Sequence, residues 1–76
     1  MSVLSDLCVG ARARVVHLGA NSPYRRKLLS MGITPGVELE VVRVAPLGDP
    51  VEVRLRGFAL SLRKEEAGSV QVERLA

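Results

Sequence analysis

The sequence predicts a small, mainly β domain, a partly open barrel of about five short strands with one short α-helix. Valine, leucine and isoleucine alternate with polar residues over most of the chain, which is the period-two pattern of half-buried strands. Glycine and proline turns separate these runs. The 76 residues, 47% of them hydrophobic, suffice for one domain spanning residues 1–76, with little apolar surface left for a deep substrate cavity.

Two of the predicted strands carry an irregularity in their alternation. The first strand runs from Ala13 to Leu18. The pattern does not determine which of its side chains face the core, because Val15 and Val16 are adjacent. The strand that starts at Val37 changes phase near Val41-Val42. Because a slip of one residue turns the apolar side chains to the other face, we expect a β-bulge or sharp bend at that point.

A short helix is predicted between these two strands, over Pro23–Met31. Ser22 is a favourable N-cap residue, and proline suits the first helical position. Gly32 stands where a left-handed C-cap residue belongs, and Pro35-Gly36 then forms a turn.

The second half of the chain supplies the remaining strands. Val51 to Leu55 and Phe58 to Leu62 both alternate, with Gly57 between them. Arg63 to Gly68 is predicted as a helical turn or loop, and residues 70–72 form the last strand. Five short strands and one small helix together indicate a partly open barrel of the SH3 kind.

Several stretches of this chain together match one known family: Tyr24–Gly32, Pro35-Gly36, Ala45–Pro50, and Leu60–Ala67 followed by Val70–Val72. Val9-Gly10 before the first strand also fits. With these motifs the chain resembles the FeoA family. The resemblance implies an SH3-like fold and a non-enzymatic accessory role in bacterial ferrous iron uptake, with the membrane GTPase permease FeoB as partner. It also implies a cytoplasmic location, or a peripheral one at the inner membrane through that partner.

A second interpretation of the same resemblance is an iron- or metal-dependent regulatory module, or one associated with nucleic acid. A related domain forms the C-terminal part of DtxR-type iron-dependent repressors, but this chain leaves no room for a helix-turn-helix. Eleven Lys and Arg oppose eight Asp and Glu along the whole chain, so no polybasic tract forms. Phe58 and Tyr24 are the only aromatics, too few for a typical single-strand binder. We therefore expect no nucleic acid, and membrane contact only through the partner, since no run approaches the roughly 20 apolar residues of a span.

The proline-bracketed loop is the first candidate partner-binding surface, comprising Leu47, Gly48, Asp49 and Pro50. Prolines fix φ and bias the preceding residues toward extended conformations, so the loop is stiff. A stiff loop that presents one apolar side chain loses little entropy on docking. The alternative is that Leu47 folds back and plugs the barrel end.

The cationic run Arg25-Arg26-Lys27 is the second candidate. The first turn of a helix disfavours cations by about 0.3–1 kcal/mol each, which invites a functional reason such as an acidic patch on the partner. The alternatives are a solvated face, or pairing with Glu38 and Glu40 on the neighbouring strand.

Metal binding and catalysis find little support in the residue types. His17 and Cys8 are the only histidine and cysteine, and both are predicted to be structural, the histidine buried or hydrogen-bonded and the cysteine in the core. Glu65 and Glu66 could join an exposed His17 in a weak or intermolecular divalent-metal site. No nucleophile and base have a supporting arrangement, and no phosphate loop is present, so we expect no cofactor and no enzyme activity. The sequence leaves open whether the chain forms a homo-oligomer.

Overall fold

The structure, a computed structural model, describes residues 2–75 of the chain. Within these residues, six strands and two α-helices follow one another, with short 3-10 turns at Leu4–Asp6 and Pro46–Gly48. The elements are β1 (Ser2–Val3), β2 (Arg12–Leu18), α1 (Arg25–Ser30), β3 (Glu38–Val44), β4 (Val51–Leu55), β5 (Phe58–Leu62), α2 (Lys64–Gly68) and β6 (Val70–Arg74).

All six strands belong to one antiparallel sheet in the order β1-β6-β2-β3-β4-β5. The strands β1 and β5 lie at its two edges and do not pair with each other, so the barrel is partly open. The predicted mainly β fold is confirmed. The strand that the sequence did not predict is β1, which has two residues and pairs with β6 through Ser2 opposite Val72.

One hydrophobic cluster fills the inside of the curved sheet. The alternate residues of the strands supply most of it, as in Leu39, Val41 and Val53. The helices add Leu28 of α1 and Ala67 of α2 to this cluster. Burial of one face of β2, β3, β4 and β6 is therefore what positions the loops and helix ends that remain outside.

Register shifts occur at both places where the alternation of the sequence breaks. The shift between Val41 and Arg43 confirms the expected bulge in β3. The shift between Val15 and His17 determines which side chains of β2 face the core. Val15 is buried, while Val16 and His17 both face solvent.

The first helix is shorter than the predicted Pro23–Met31. Ser22 Oγ accepts a hydrogen bond from the Tyr24 N–H at 3.1 Å, so a turn precedes Arg25 instead of the first helical residues. Gly32 has φ +95°, which confirms the left-handed residue after the helix. The segment predicted as a helical turn or loop forms the second helix, α2.

Candidate functional site

Leu47 projects from the loop between β3 and β4 into solvent. Its side chain is 96% exposed, the most exposed large hydrophobic residue among those the structure describes. The alternative in which Leu47 folds back as a plug is therefore wrong. An exposed Leu47 is what the hypothesis of a partner-binding loop requires.

Hydrogen bonds hold this loop in place. The Gly48 N–H donates to the Ala45 carbonyl at 2.9 Å, and the Ala45 N–H donates to the Pro50 carbonyl at 3.1 Å. Asp49 Oδ1 accepts the Lys64 N–H at 3.2 Å, which ties the loop to the start of α2. The loop is thus fixed at its base and on one side while its tip is free.

The backbone of Leu47 has an unfavourable conformation. Its φ is +74°, the left-handed region, where a residue with a Cβ atom pays roughly 1–2 kcal/mol relative to the right-handed one. A bulky residue at positive φ is an outlier that points to function when no packing explains it. Packing does not explain Leu47, because almost none of its side chain is buried.

The cations of α1 divide into one that is paired and two that are not. Lys27 Nζ forms a salt bridge with Glu66 of α2. Arg25 and Arg26 are exposed, and within residues 2–75 neither forms a salt bridge. The two arginines therefore form the solvated part of the predicted basic surface.

The predicted alternative of pairing between these cations and the acidic residues of β3 is wrong. Glu38 accepts a hydrogen bond from Arg14 Nη2 at 3.2 Å instead, because β2 and β3 are in register there. No salt bridge within the described chain involves Glu40.

Glu66 is the buried charge of this region, only 4% exposed. Its Oε2 accepts from Lys27 Nζ and its Oε1 accepts the Arg63 N–H at 2.8 Å. The hydrogen bond from Lys27, helped by the Arg63 N–H, holds the pKa of the Glu66 carboxyl below its ordinary value of 4.5, although burial opposes this. The sequence pattern does not show that both carboxylate oxygens of Glu66 accept hydrogen bonds within the fold.

Acidification is expected to weaken the fold through Glu66. A carboxyl whose folded pKa is depressed contributes stability above its unfolded pKa and loses it as pH falls through the folded pKa. Urea unfolding from pH 7 down to about pH 3 should show a falling free energy of unfolding below the ordinary value of 4.5, and Glu66→Gln should flatten that part of the profile. A Glu66→Gln profile parallel to the wild type across this range would contradict the assignment.

Both candidate surfaces are attached to the N-terminal end of α2. Glu66 joins the first turn of α2 to Lys27 of α1, while Asp49 bonds the Lys64 N–H and lies 3.8 Å from Arg63 Nη1. The Leu47 loop and the basic helix, distant in sequence, are thus fixed to the same short helix. A protein that contacts both would meet a rigid arrangement.

The two weak metal candidates lie elsewhere and apart from any ligand cluster. Cys8 is exposed in the turn before β2, so its predicted core position is wrong: Leu4 and Leu7 occupy the core there. The predicted buried or hydrogen-bonded position of His17 is also wrong. The bulge in β2 turns its side chain outward, where it is exposed and has no hydrogen bond within residues 2–75. Nowhere between residues 2 and 75 do three His, Cys, Asp or Glu side chains converge as a metal site would require.

Comparison with known proteins agrees with this architecture. Residues 3–74 match the FeoA domain family. The chain belongs to the FeoA family. A curated relative, the Fe(2+) transport protein A/Fe(2+) transporter FeoB fusion protein of Porphyromonas gingivalis, is 39% identical over 92% of this chain. The chain corresponds to only 8% of the length of that fusion protein.

Solved FeoA structures share the fold closely. A FeoA-like protein from Clostridium acetobutylicum superposes with a TM-score of 0.92 at 40% identity, covering 99% of this chain and 87% of that one. Stenotrophomonas maltophilia FeoA in complex with zinc, described as a prokaryotic SH3 domain protein, has a TM-score of 0.76 at 31% identity over 96% of this chain and 91% of that one. The predicted SH3-like fold is therefore confirmed.

A manganese-dependent transcriptional repressor has the same fold at greater sequence distance. Its TM-score is 0.88, with 21% identity over 96% of this chain and 36% of the repressor. That likeness establishes the fold alone. Among residues 2–75 no helix is both long and apolar enough to cross a bilayer.

Proposed function

We propose that this FeoA-family protein is a non-enzymatic accessory factor of bacterial ferrous iron uptake that binds a FeoB-type GTPase permease on its cytoplasmic side and modulates it. The observation that carries the proposal is the outward Leu47 on its hydrogen-bonded loop. The fusion relative supports the choice of partner, since a FeoA-like segment and a FeoB transporter share one polypeptide there.

The energy available from the loop is sufficient for a hot spot. Complete burial of one leucine side chain contributes about 1.5–3 kcal/mol, which is roughly a tenfold to 150-fold change in dissociation constant. Hydrogen bonds hold the loop at its base and on one side, so little of that energy should be lost to restricting its motion. Arg25 and Arg26 would add attraction to an acidic surface, an effect that acts mainly on the association rate and weakens with salt.

The proposed role does not include catalysis by this chain's own side chains. Its histidine makes no hydrogen bond to an orienting group, and its cysteine has no basic partner in a salt bridge or hydrogen bond within the described residues. A nucleophile and base that act together need such mutual contacts. Any effect on nucleotide hydrolysis would therefore come from contact with the GTPase.

The test is a calorimetric titration of this protein against the cytoplasmic GTPase domain of the FeoB permease from the same organism, with and without guanine nucleotide. Leu47→Asp and Leu47→Gly should each weaken binding at least about tenfold, because both remove the apolar contact. Leu47→Gly should leave the free energy of unfolding unchanged or raise it by up to about 1 kcal/mol, because glycine accepts positive φ. The glycine variant thus separates a binding defect from a folding defect.

Val9→Asp is the matched control, since Val9 is an exposed apolar residue, 60% accessible, in another turn. It should bind like the wild type. Equal affinities for the wild type, Leu47→Asp and Leu47→Gly would remove the loop from the interface. If the wild type binds the GTPase domain neither with nor without guanine nucleotide, the proposed partner is refuted.

A further inference from the structure

The strand β5, Phe58–Leu62, forms one edge of the sheet, and in the part of the chain that the structure describes it pairs with β4 alone. Its five residues carry no charge and no proline. Within the described chain, residues 58–62 make no backbone hydrogen bond outside the sheet ladder. Natural edge strands are usually protected by charges, prolines or covering segments, and β5 has none of the first two.

The hairpin that joins β4 to β5 determines which backbone groups of the edge are free. Arg56 and Gly57 have φ +50° and +84°, the two positive values of a two-residue type I′ turn. The pair flanking such a turn is hydrogen-bonded, and hydrogen-bonded and non-hydrogen-bonded pairs alternate beyond it. Ala59 and Ser61 are non-hydrogen-bonded residues in this register and direct their N–H and C=O groups outward. Both residues are exposed.

The same edge leaves apolar surface uncovered on the core side of the sheet. Phe58 lies opposite buried Leu55 and is 45% exposed. Leu60 lies opposite buried Val53 and is only half-buried. An additional strand beside β5 would satisfy the outward backbone groups and cover both side chains at once.

The charges around β5 specify what that strand would be. Arg54, Arg56 and Lys64 are exposed at the two ends of β5 and beside its outer face, and none forms a salt bridge within residues 2–75. These three cations outnumber Glu52, the half-buried carboxylate opposite Ser61 on β4. Symmetric antiparallel pairing of two copies through Leu60 would place Arg56 opposite Lys64, so like charges would repel at both ends. This pairing is therefore unfavourable for a second copy, whereas an acidic segment would meet attractive charges at both ends of β5.

We propose that β5 accepts an extended segment of another protein as a seventh, antiparallel strand. The segment alternates apolar residues, which cover Phe58 and Leu60, with polar ones, and has carboxylates at both ends opposite Arg56 and Lys64. Backbone hydrogen bonds provide the affinity and the terminal charges the selectivity, as in other complexes formed by strand addition. This inference is independent of the Leu47 loop and of the identity of the transporter partner.

The test uses NMR titration of the intact protein with a synthetic peptide in which two aspartates flank each side of a run of five alternating valines and threonines. Amide shifts should be confined to β5 and the residues beside it, and the Ser61 amide should become protected from hydrogen exchange. Ser61→Pro should bind at least about tenfold more weakly, because it removes an outward donor and blocks the approach of the strand. Proline is tolerated at this position because the N–H does not pair with β4.

Ser61→Ala is the matched control and should bind like the wild type, since it keeps the N–H. Arg56→Glu combined with Lys64→Glu, which leaves the strand itself intact, should lower affinity at least about tenfold and favour a peptide with lysines in place of the aspartates. The proposal is overturned if no amide shifts at about 1 mM peptide, or if Ser61→Pro and Ser61→Ala bind alike. Concentration-dependent shifts of the same amides without peptide would identify a second copy as the occupant and would also overturn it.

Discussion

Replacing Leu62 by alanine is expected to leave a large fraction of the protein unfolded at room temperature. Leu62 is completely buried, opposite Val51 in the ladder between β4 and β5. Truncation of a buried leucine to alanine costs about 2–5 kcal/mol. A single core in a chain this short supplies about 3–5 kcal/mol in total. The loss is therefore comparable with the whole stability, and urea unfolding followed by circular dichroism should show little or no folded baseline.

Leu47→Ala is the control for that experiment, because it makes the same chemical change at a side chain that is 96% exposed. Its free energy of unfolding should stay within about 0.5 kcal/mol of the wild type. The pair of variants isolates burial as the cause, since both remove the same atoms. A loss of less than about 1 kcal/mol for Leu62→Ala would mean that the hairpin β4-β5 contributes little to the core.

Glu66→Gln is expected to lower the free energy of unfolding by about 1–3 kcal/mol at pH 7. The glutamine keeps one acceptor for the Arg63 N–H but gives up the charge that Lys27 meets. The expected loss lies below the upper range for broken buried ion pairs because the Lys27 side chain is 59% exposed and can return to water. Equilibrium urea unfolding measures the difference directly.

Glu65→Gln removes the same charge one residue earlier on α2, where the side chain is exposed. It should change stability by no more than about 0.5 kcal/mol. Because Glu66 links α2 to α1, Glu66→Gln should also increase hydrogen exchange in α1, whereas Glu65→Gln should not. Equal losses for the two variants would show that general charge balance, and not the buried contact, is responsible.

The strands of this fold were predictable because burial imposes alternation, and alternation is visible in the sequence. The phase change near Val41-Val42 even indicated the bulge in β3. The strand β1 was not predictable, since two residues such as Ser2 and Val3 cannot display a period. The facing of His17 was not predictable either, because adjacent valines leave a strand's phase ambiguous and only pairing with β6 resolves it.

The candidate site was predictable as a set of segments but not as an arrangement. The prolines identified the loop, but periodicity ends in loops, so the sequence left open whether Leu47 points inward or outward. The contact between Lys27 and Glu66 joins residues 39 positions apart, and no local pattern records such a partner. The free edge at Ser61 depends on the register of the hairpin, which the sequence indicates only through Arg56-Gly57.

The pairing of β1 with β6 bears on how such a domain can be carried by a larger polypeptide. Because Ser2 lies opposite Val72, the backbone enters and leaves the barrel at neighbouring points of its surface. A linker to another domain would therefore leave the barrel from nearly the same point of its surface, whether it is joined to β1 or to β6. The FeoA fold can be appended to a host protein, or inserted in one of its surface loops, without spreading the host's own chain.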